Sequence, residues 1–245
     1  MVNNMGPESP EVPMIKAWSF SRYENFSKCA YRAKILYIDK TPEPTRPLKE
    51  GQTEQANDRG SRIHEAAELY VNGGVELLPE LRHFIPEFQR LRDLYAQGLV
   101  SLEGDWAFDR DWMPCGNFSD STWVRIKLDA LVTLTPEHLV IIDYKTGRRD
   151  GNQLKHAEQT RLYALAAALR NPNAKLFTTE LWYTDENDLA TAEYTREQAM
   201  KFLKTWQARG TAMTSETEFK PNPNKFSCQW CRFGPKFSGP CTVGV

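Results

Sequence analysis

No apolar run in this chain approaches the roughly 20 residues that span a bilayer, so a helical membrane protein is not expected. The stretch from Met1 to Pro13 has no basic start followed by an apolar block. It reads as a disordered leader, taken to residue 18, rather than a signal peptide, and the protein is expected to stay inside the cell. Charge of one sign is also missing: 31 Lys and Arg against 32 Asp and Glu leave a formal net charge of -1. Such a balance gives no global attraction to a polyanion, so any such partner must be met by local clusters of cations. No internal repeat is visible. Cysteine is scarce and uneven, with Cys29 near the start, Cys115 in the middle, and Cys228, Cys231 and Cys241 near the end. Inside a cell, that clustering favours metal ligation over disulfides.

What is present is an ordinary globular composition, 40% hydrophobic and 26% charged over 245 residues, compatible with one domain over 19–245. Helices are expected over 19–98, a core over 99–210, and a Cys-rich segment over 211–245. Ser21 and Glu24 have capping-box spacing, and the run that follows places Cys29 on a helix. Residues 41–60, rich in Pro, Gly, Gln and Asn, read as a loop. The stretch RIHEAAELYV and residues 81–95 have helical spacing. Residues 99–112 suggest a strand.

From Trp123 to Leu134 alternation puts Val124, Ile126, Leu128, Ala130 and Val132 on one face, and Arg125, Lys127 and Asp129 on the other. TPEH at 135–138 is a turn and HLVIIDYKTG a returning strand. A helix through EQTRLYALAAAL follows, then a strand at 177–183 and a helix at 195–208.

Asp143 and Lys145 are two apart on a strand, so both side chains share a face. A hairpin folded about Pro136 sets position 129 opposite 143, with Cβ atoms about 4.5–5.5 Å apart. Two carboxylates that close can share a hard divalent ion, which polarises a phosphoryl oxygen and activates water, while a lysine offsets developing negative charge. A lone D-x-K tripeptide is more often a surface ion pair. Here the apolar run Leu139–Ile142 precedes it, and a buried carboxylate needs a cationic partner.

In that order, GSRIHE around His64, KLDALV around Asp129, IIDYKTG around Asp143 and Lys145, and QTRLY from Gln159 to Tyr163 resemble the RecB-like branch of the PD-(D/E)XK nucleases. The resemblance runs from Ser19 to Cys241. It implies an α/β, restriction-endonuclease-like core, a central mixed sheet flanked by helices. It also implies that His64, Asp129, Asp143 and the backbone carbonyl of Tyr144 hold Mg2+ or Mn2+, that Lys145 is the catalytic lysine, and that Gln159 and Tyr163, four apart on a helix, position it or the DNA backbone. Glu65, Glu68 and Glu103 are spare candidates for a second ion. An Asp at 143 where Glu is also common leaves the pattern intact.

The spacing Cys228-x2-Cys231, then nine residues and Cys241, suits metal ligation. A fourth ligand, Cys29, comes from resemblance to iron-sulfur nucleases of this branch, such as the CRISPR adaptation nucleases and the AddB nuclease domain. The set suits a [4Fe-4S] cluster or a Zn(Cys)4 site, which ligand count does not separate. Either would join the N- and C-terminal segments. Cys115 reads as a free thiol. Arg148, Arg149, Lys155 and Arg161 are candidate phosphate contacts or a solvated face. Trp182 and Tyr183 read as core.

The resemblance implies an exonuclease acting on a DNA end, single-stranded in one version, in recombination, repair or replication, with a helicase or recombination partner in the cytoplasm of a bacterial or phage-infected cell. Alternatives are a nuclease-like binding or scaffold module without turnover, and an endonuclease of structure-specific or restriction type.

Overall fold

The computed structural model describes residues 13–45, 47–48 and 50–245. The leader expected over residues 1–12 lies outside the described residues. Its end at residue 18 is corrected: Ile15, Ala17 and Trp18 are buried. Two compact units are present, Met1–Thr45 with Arg209–Val245, and Arg46–Ala208. None of the described helices is long and apolar enough to cross a membrane.

In chain order the elements are α1 (Phe20–Lys28), α2 (Ala30–Tyr37), α3 (Ala56–Val71), a 3-10 turn (Pro79–Phe84), α4 (Ile85–Ala96), β1 (Val100–Phe108), β2 (Pro114–Cys115), β3 (Val124–Thr135), β4 (His138–Lys145), α5 (Gln153–Arg170), β5 (Leu176–Tyr183), β6 (Asp188–Thr195), α6 (Arg196–Lys201), α7 (Leu203–Thr214) and α8 (Lys225–Cys228). The loop expected through residue 60 therefore ends at Gln55, with Gly60 inside α3.

The unit Arg46–Ala208 is built on a six-stranded mixed sheet in the order β2-β1-β3-β4-β5-β6. Only β4 and β5 run parallel, and α5 is the crossover that parallel pairing requires. Paired on both edges, β4 carries the buried run Leu139–Tyr144. The hairpin register is as the mirror about Pro136 predicts, Ala130 against Ile142 through Thr133 against Leu139, and shifts only at the turn, where Thr135 meets His138.

Ile142, Tyr144 and Trp182 join Ile63, Ala67, Phe84 and Phe88 in one core that seats α3 and α4 on a face of the sheet. Phe84 stacks on Trp182 at 5.5 Å, and Phe88 meets Trp182 and Tyr144 at 5.1 and 5.2 Å. Alternation along β4 sends Asp143 and Lys145 the other way, toward α5. That helix buries Leu162 through Ala168, and the four alanines of that run let it lie close. The strand β6 was not legible, since its apolar content is low and its burial alternates only weakly. Thr195 ends it and caps α6 with a full capping box to Gln198, and the expected single helix breaks at Phe202.

In the other unit the N-cap is Ser19, whose hydroxyl accepts from Arg22 N at 3.4 Å; Ser21 Oγ instead meets Ser19 Oγ. Cys29 is not within a helix. It sits at the break between α1 and α2 in an extended conformation, φ -164 and ψ 112. Arg232 is buried, donates to Pro44 O (3.3 Å) and Thr45 O (2.7 Å), and lies 4.2 Å from the Phe237 ring, tying the C-terminal segment to the N-terminal one.

Candidate active site

Asp129 and Asp143 are buried, 7% and 6% exposed, on the adjacent strands β3 and β4. Asp129 Oδ2 accepts from the Tyr144 backbone N–H at 2.6 Å, and Oδ1 lies 2.8 Å from His64 Nδ1. His64 is presented by α3, which the buried neighbours Ile63 and Ala67 anchor to the core. Burial lifts Asp129 above the ordinary carboxylate range, and the charge of Asp143 adds to this against the bonds from His64 and Tyr144. Burial pulls the His64 imidazole down, yet its bond to Asp129 and the charges of both aspartates leave it raised.

Asp143 closes a ring of contacts with α5. Tyr163 OH donates to Asp143 Oδ1 at 2.6 Å, Gln159 Nε2 donates to Tyr163 OH at 2.6 Å, and Lys145 Nζ donates to Gln159 Oε1 at 2.8 Å. Lys145 Nζ returns to within 2.5 Å of Asp143 Oδ2 as an ion pair. Apart from that ion pair, Asp143 Oδ2 is buried without a hydrogen bond. The ring fixes which end of the Gln159 amide faces the lysine, because an ammonium only donates. Burial and the Asp143 charge hold the Tyr163 phenol well above its usual range, so it remains a donor.

The structure thus brings together His64, Asp129, Asp143, Lys145, Gln159 and Tyr163. Arg149 instead reaches Asp188 at 2.5 Å, and Arg161 pairs with Glu158. Arg148 is exposed. Of the spare acids, Glu103 falls in line with Asp129 between the pairs Leu102–Ala130 and Gly104–Leu128, in a left-handed conformation of φ 46, and it pairs with Lys127. Burial and the Glu103 charge raise Glu68. Among the described residues no group of three or more His, Cys, Asp or Glu side chains is gathered closely enough to hold a metal ion. Sequence reasoning missed His156, whose Nδ1 lies 2.7 Å from the Tyr183 hydroxyl three residues before Gln159; helical spacing from Gln159 was the available signal.

A family model described as the PD-(D/E)XK nuclease superfamily matches residues 17–115 and 100–235. The chain belongs to this superfamily. No curated protein matches. Among solved structures, one of SSO0001 is 13% identical with a TM-score of 0.45, covering 98% of this chain and 90% of that one. Another, from Eubacterium rectale and described provisionally as an exonuclease, is 12% identical with a TM-score of 0.48, covering 98% and 97%. Likenesses that shallow carry no statement about substrate.

This PD-(D/E)XK nuclease also gathers Cys29, Cys228, Cys231 and Cys241 around one cavity of about 190 Å3 in the unit formed by the chain's two ends. Backbone N–H groups of Asn222 and Asn224 point at Cys29 Sγ (3.5 Å) and Cys228 Sγ (3.4 Å). Gly239 packs so closely on the Phe233 backbone that any side chain would collide, and this approach lets Cys241 N bond Phe233 O at 2.8 Å. The long gap before Cys241 is thereby folded back to the other thiols. Arg32 lines the same cavity, pairs with Glu43 at 3.2 Å, and keeps its Nε buried without a hydrogen bond. Burial raises the Cys231 thiol, and Arg32 among others pulls it back. Cys115 lies apart on β2 as a free thiol.

Proposed function

We propose that this nuclease is a Mg2+- or Mn2+-dependent DNA exonuclease that hydrolyses phosphodiester bonds from a free end. The observation that carries the reading is the placement of two buried carboxylates on adjacent strands, Asp129 bonded to His64 and Asp143 paired with a lysine that Gln159 also holds. The donor set fits a hard cation, since carboxylate oxygens suit Mg2+ and Mn2+ and Asp143 Oδ2 is buried without a hydrogen bond. His64, Asp129, Asp143 and the Tyr144 carbonyl would hold it, the His64–Asp129 bond being exchanged in the process. Such an ion supplies polarisation of the phosphoryl oxygen and activation of water.

The chain's own residues do the rest. Gln159 and Asp143 aim the Lys145 ammonium, which stabilises negative charge developing on the phosphorus oxygens. Tyr163 donates to Asp143 and so orients that carboxylate. The flanking cations Arg148, Arg149, Lys155 and Arg161 are candidates for phosphate contact, with Arg149 and Arg161 first needing release from their carboxylates.

The cysteines extend the proposal to a [4Fe-4S] cluster, with zinc as the alternative. What supports it is the single cavity shared by four thiols, the N–H groups directed at sulfur, and the cationic Arg32 beside them. Bridging would staple the two chain ends and contribute folding free energy. The biological setting this reading implies is cytoplasmic end processing in recombination, repair or replication, with a helicase or recombination protein delivering the end.

The test is digestion of labelled linear single- and double-stranded DNA beside covalently closed circles. Release from linear DNA alone with Mg2+ or Mn2+, stopped by EDTA and by Lys145→Ala, is expected. Tight binding without release under either ion would replace the reading with a binding module, and cutting of closed circles with an endonuclease.

A further inference from the structure

Phe226 and Trp230 are 88% and 65% exposed, and both line the rim of the cysteine cavity. Large rings left in water singly are unremarkable, but two on the rim of one cavity mark a contact surface. Their presentation is built: Asn224 caps α8 by accepting from Ser227 N at 2.9 Å, while its own N–H is directed at Cys228 Sγ. Lys28, on the same rim, and Lys225, beside Phe226, are exposed. Neither makes an ion pair among the described residues, whereas Arg32, Lys34, Arg59, Arg62, Lys127 and Arg149 each hold a carboxylate. From residue 217 onward the sequence has four basic residues against one acidic, Glu218, which Lys220 occupies.

We infer that Phe226 and Trp230, flanked by Lys28 and Lys225, form a stacking platform for the unpaired bases of single-stranded DNA. Exposed rings accept any base face, and nearby ammonium groups meet the phosphates between bases. Bases within a duplex already stack on one another and offer no free face. An apolar protein partner would instead desolvate two ammonium groups without giving them an anion. The inference deepens the nuclease reading by naming its substrate class.

The test uses the full chain carrying Lys145→Ala, so that DNA survives, and an oligothymidylate substituted with iododeoxyuridine. After irradiation, an adduct is expected on the peptide carrying Phe226 and Trp230. Without the photolabel, Phe226→Ala with Trp230→Ala should weaken binding about tenfold or more, and Trp230→Phe should largely restore it. Lys28→Gln with Lys225→Gln should lower the salt dependence. Adducts confined to other peptides overturn the inference whether or not the double variant folds. An adduct here, when the parent chain with Lys145 intact digests no DNA under Mg2+ or Mn2+, would sink the nuclease reading and leave the platform standing.

Discussion

Asp143 and Lys145 sit on a strand paired along both edges, whereas Cys29, Cys228, Cys231 and Cys241 sit at caps and turns. The first set is locked by side-chain contacts of 2.5–2.8 Å, two of them between strand and helix, one within the strand and one within the helix. The second is placed by isolated backbone contacts, such as Cys241 N to Phe233 O. The difference teaches that chemistry needing fixed geometry is built on regular elements, while a site that cross-links can rest on irregular ones because the cross-link supplies the rigidity.

The comparison breaks most readily at Lys145. Lys145→Ala is expected to lower the single-turnover cleavage rate by about a hundredfold to ten-thousandfold while leaving the fold intact by circular dichroism. Cys228→Ser should do the reverse. Metal content by elemental analysis falls, and residues past 209 become sensitive to limited proteolysis while 46–208 persist as a protected fragment. An unchanged metal content would dissolve the contrast.

A finer probe is Tyr163→Phe, which strips the donor from Asp143 Oδ1 and the acceptor from Gln159 Nε2. A loss of about 1–3 kcal/mol is expected in urea unfolding, with a slower cleavage step. The smallest effect is one of pH. Burial, with the charges of Lys145 and Lys155, holds His156 down at about 4, against 6.5 for a free imidazole. The unfolded chain therefore takes the proton first. Stability from this group is complete above about 6.5, declines as pH falls, and flattens below about 4. His156→Gln should flatten the melting temperature across that window relative to the parent.

The sheet site was legible because a hairpin is a mirror: once Pro136 marked the turn, Asp129 and Asp143 had to be neighbours, and the two-residue period gave Lys145. Gln159 and Tyr163 were singled out by the resemblance, with helical spacing putting them on one face, though only the fold shows the ring they close. The cysteine pattern revealed grouping but not local conformation. Nothing in CAYRAK signals that Cys29 interrupts a helix, because the break is set by what the residue faces rather than by propensity. Likewise β6, with Asp188, Glu193 and two alanines among its eight residues, has no buried apolar stripe to betray a strand, and it is recognised by its pairing with β5. Phe226 and Trp230 escaped notice because exposure, unlike composition, is not written in the sequence.

One unit is assembled from the first 45 residues and those after 208, while the other is a continuous stretch. During synthesis, at about 5–20 residues per second, the continuous unit can fold as it emerges. The opening segment must meanwhile wait on the order of ten seconds or longer for its complement to leave the ribosome. Under the proposed cluster, Cys29 would spend that interval as a free thiol, and a metal joining the four sulfurs would be installed only after translation had passed them, as a late step of maturation.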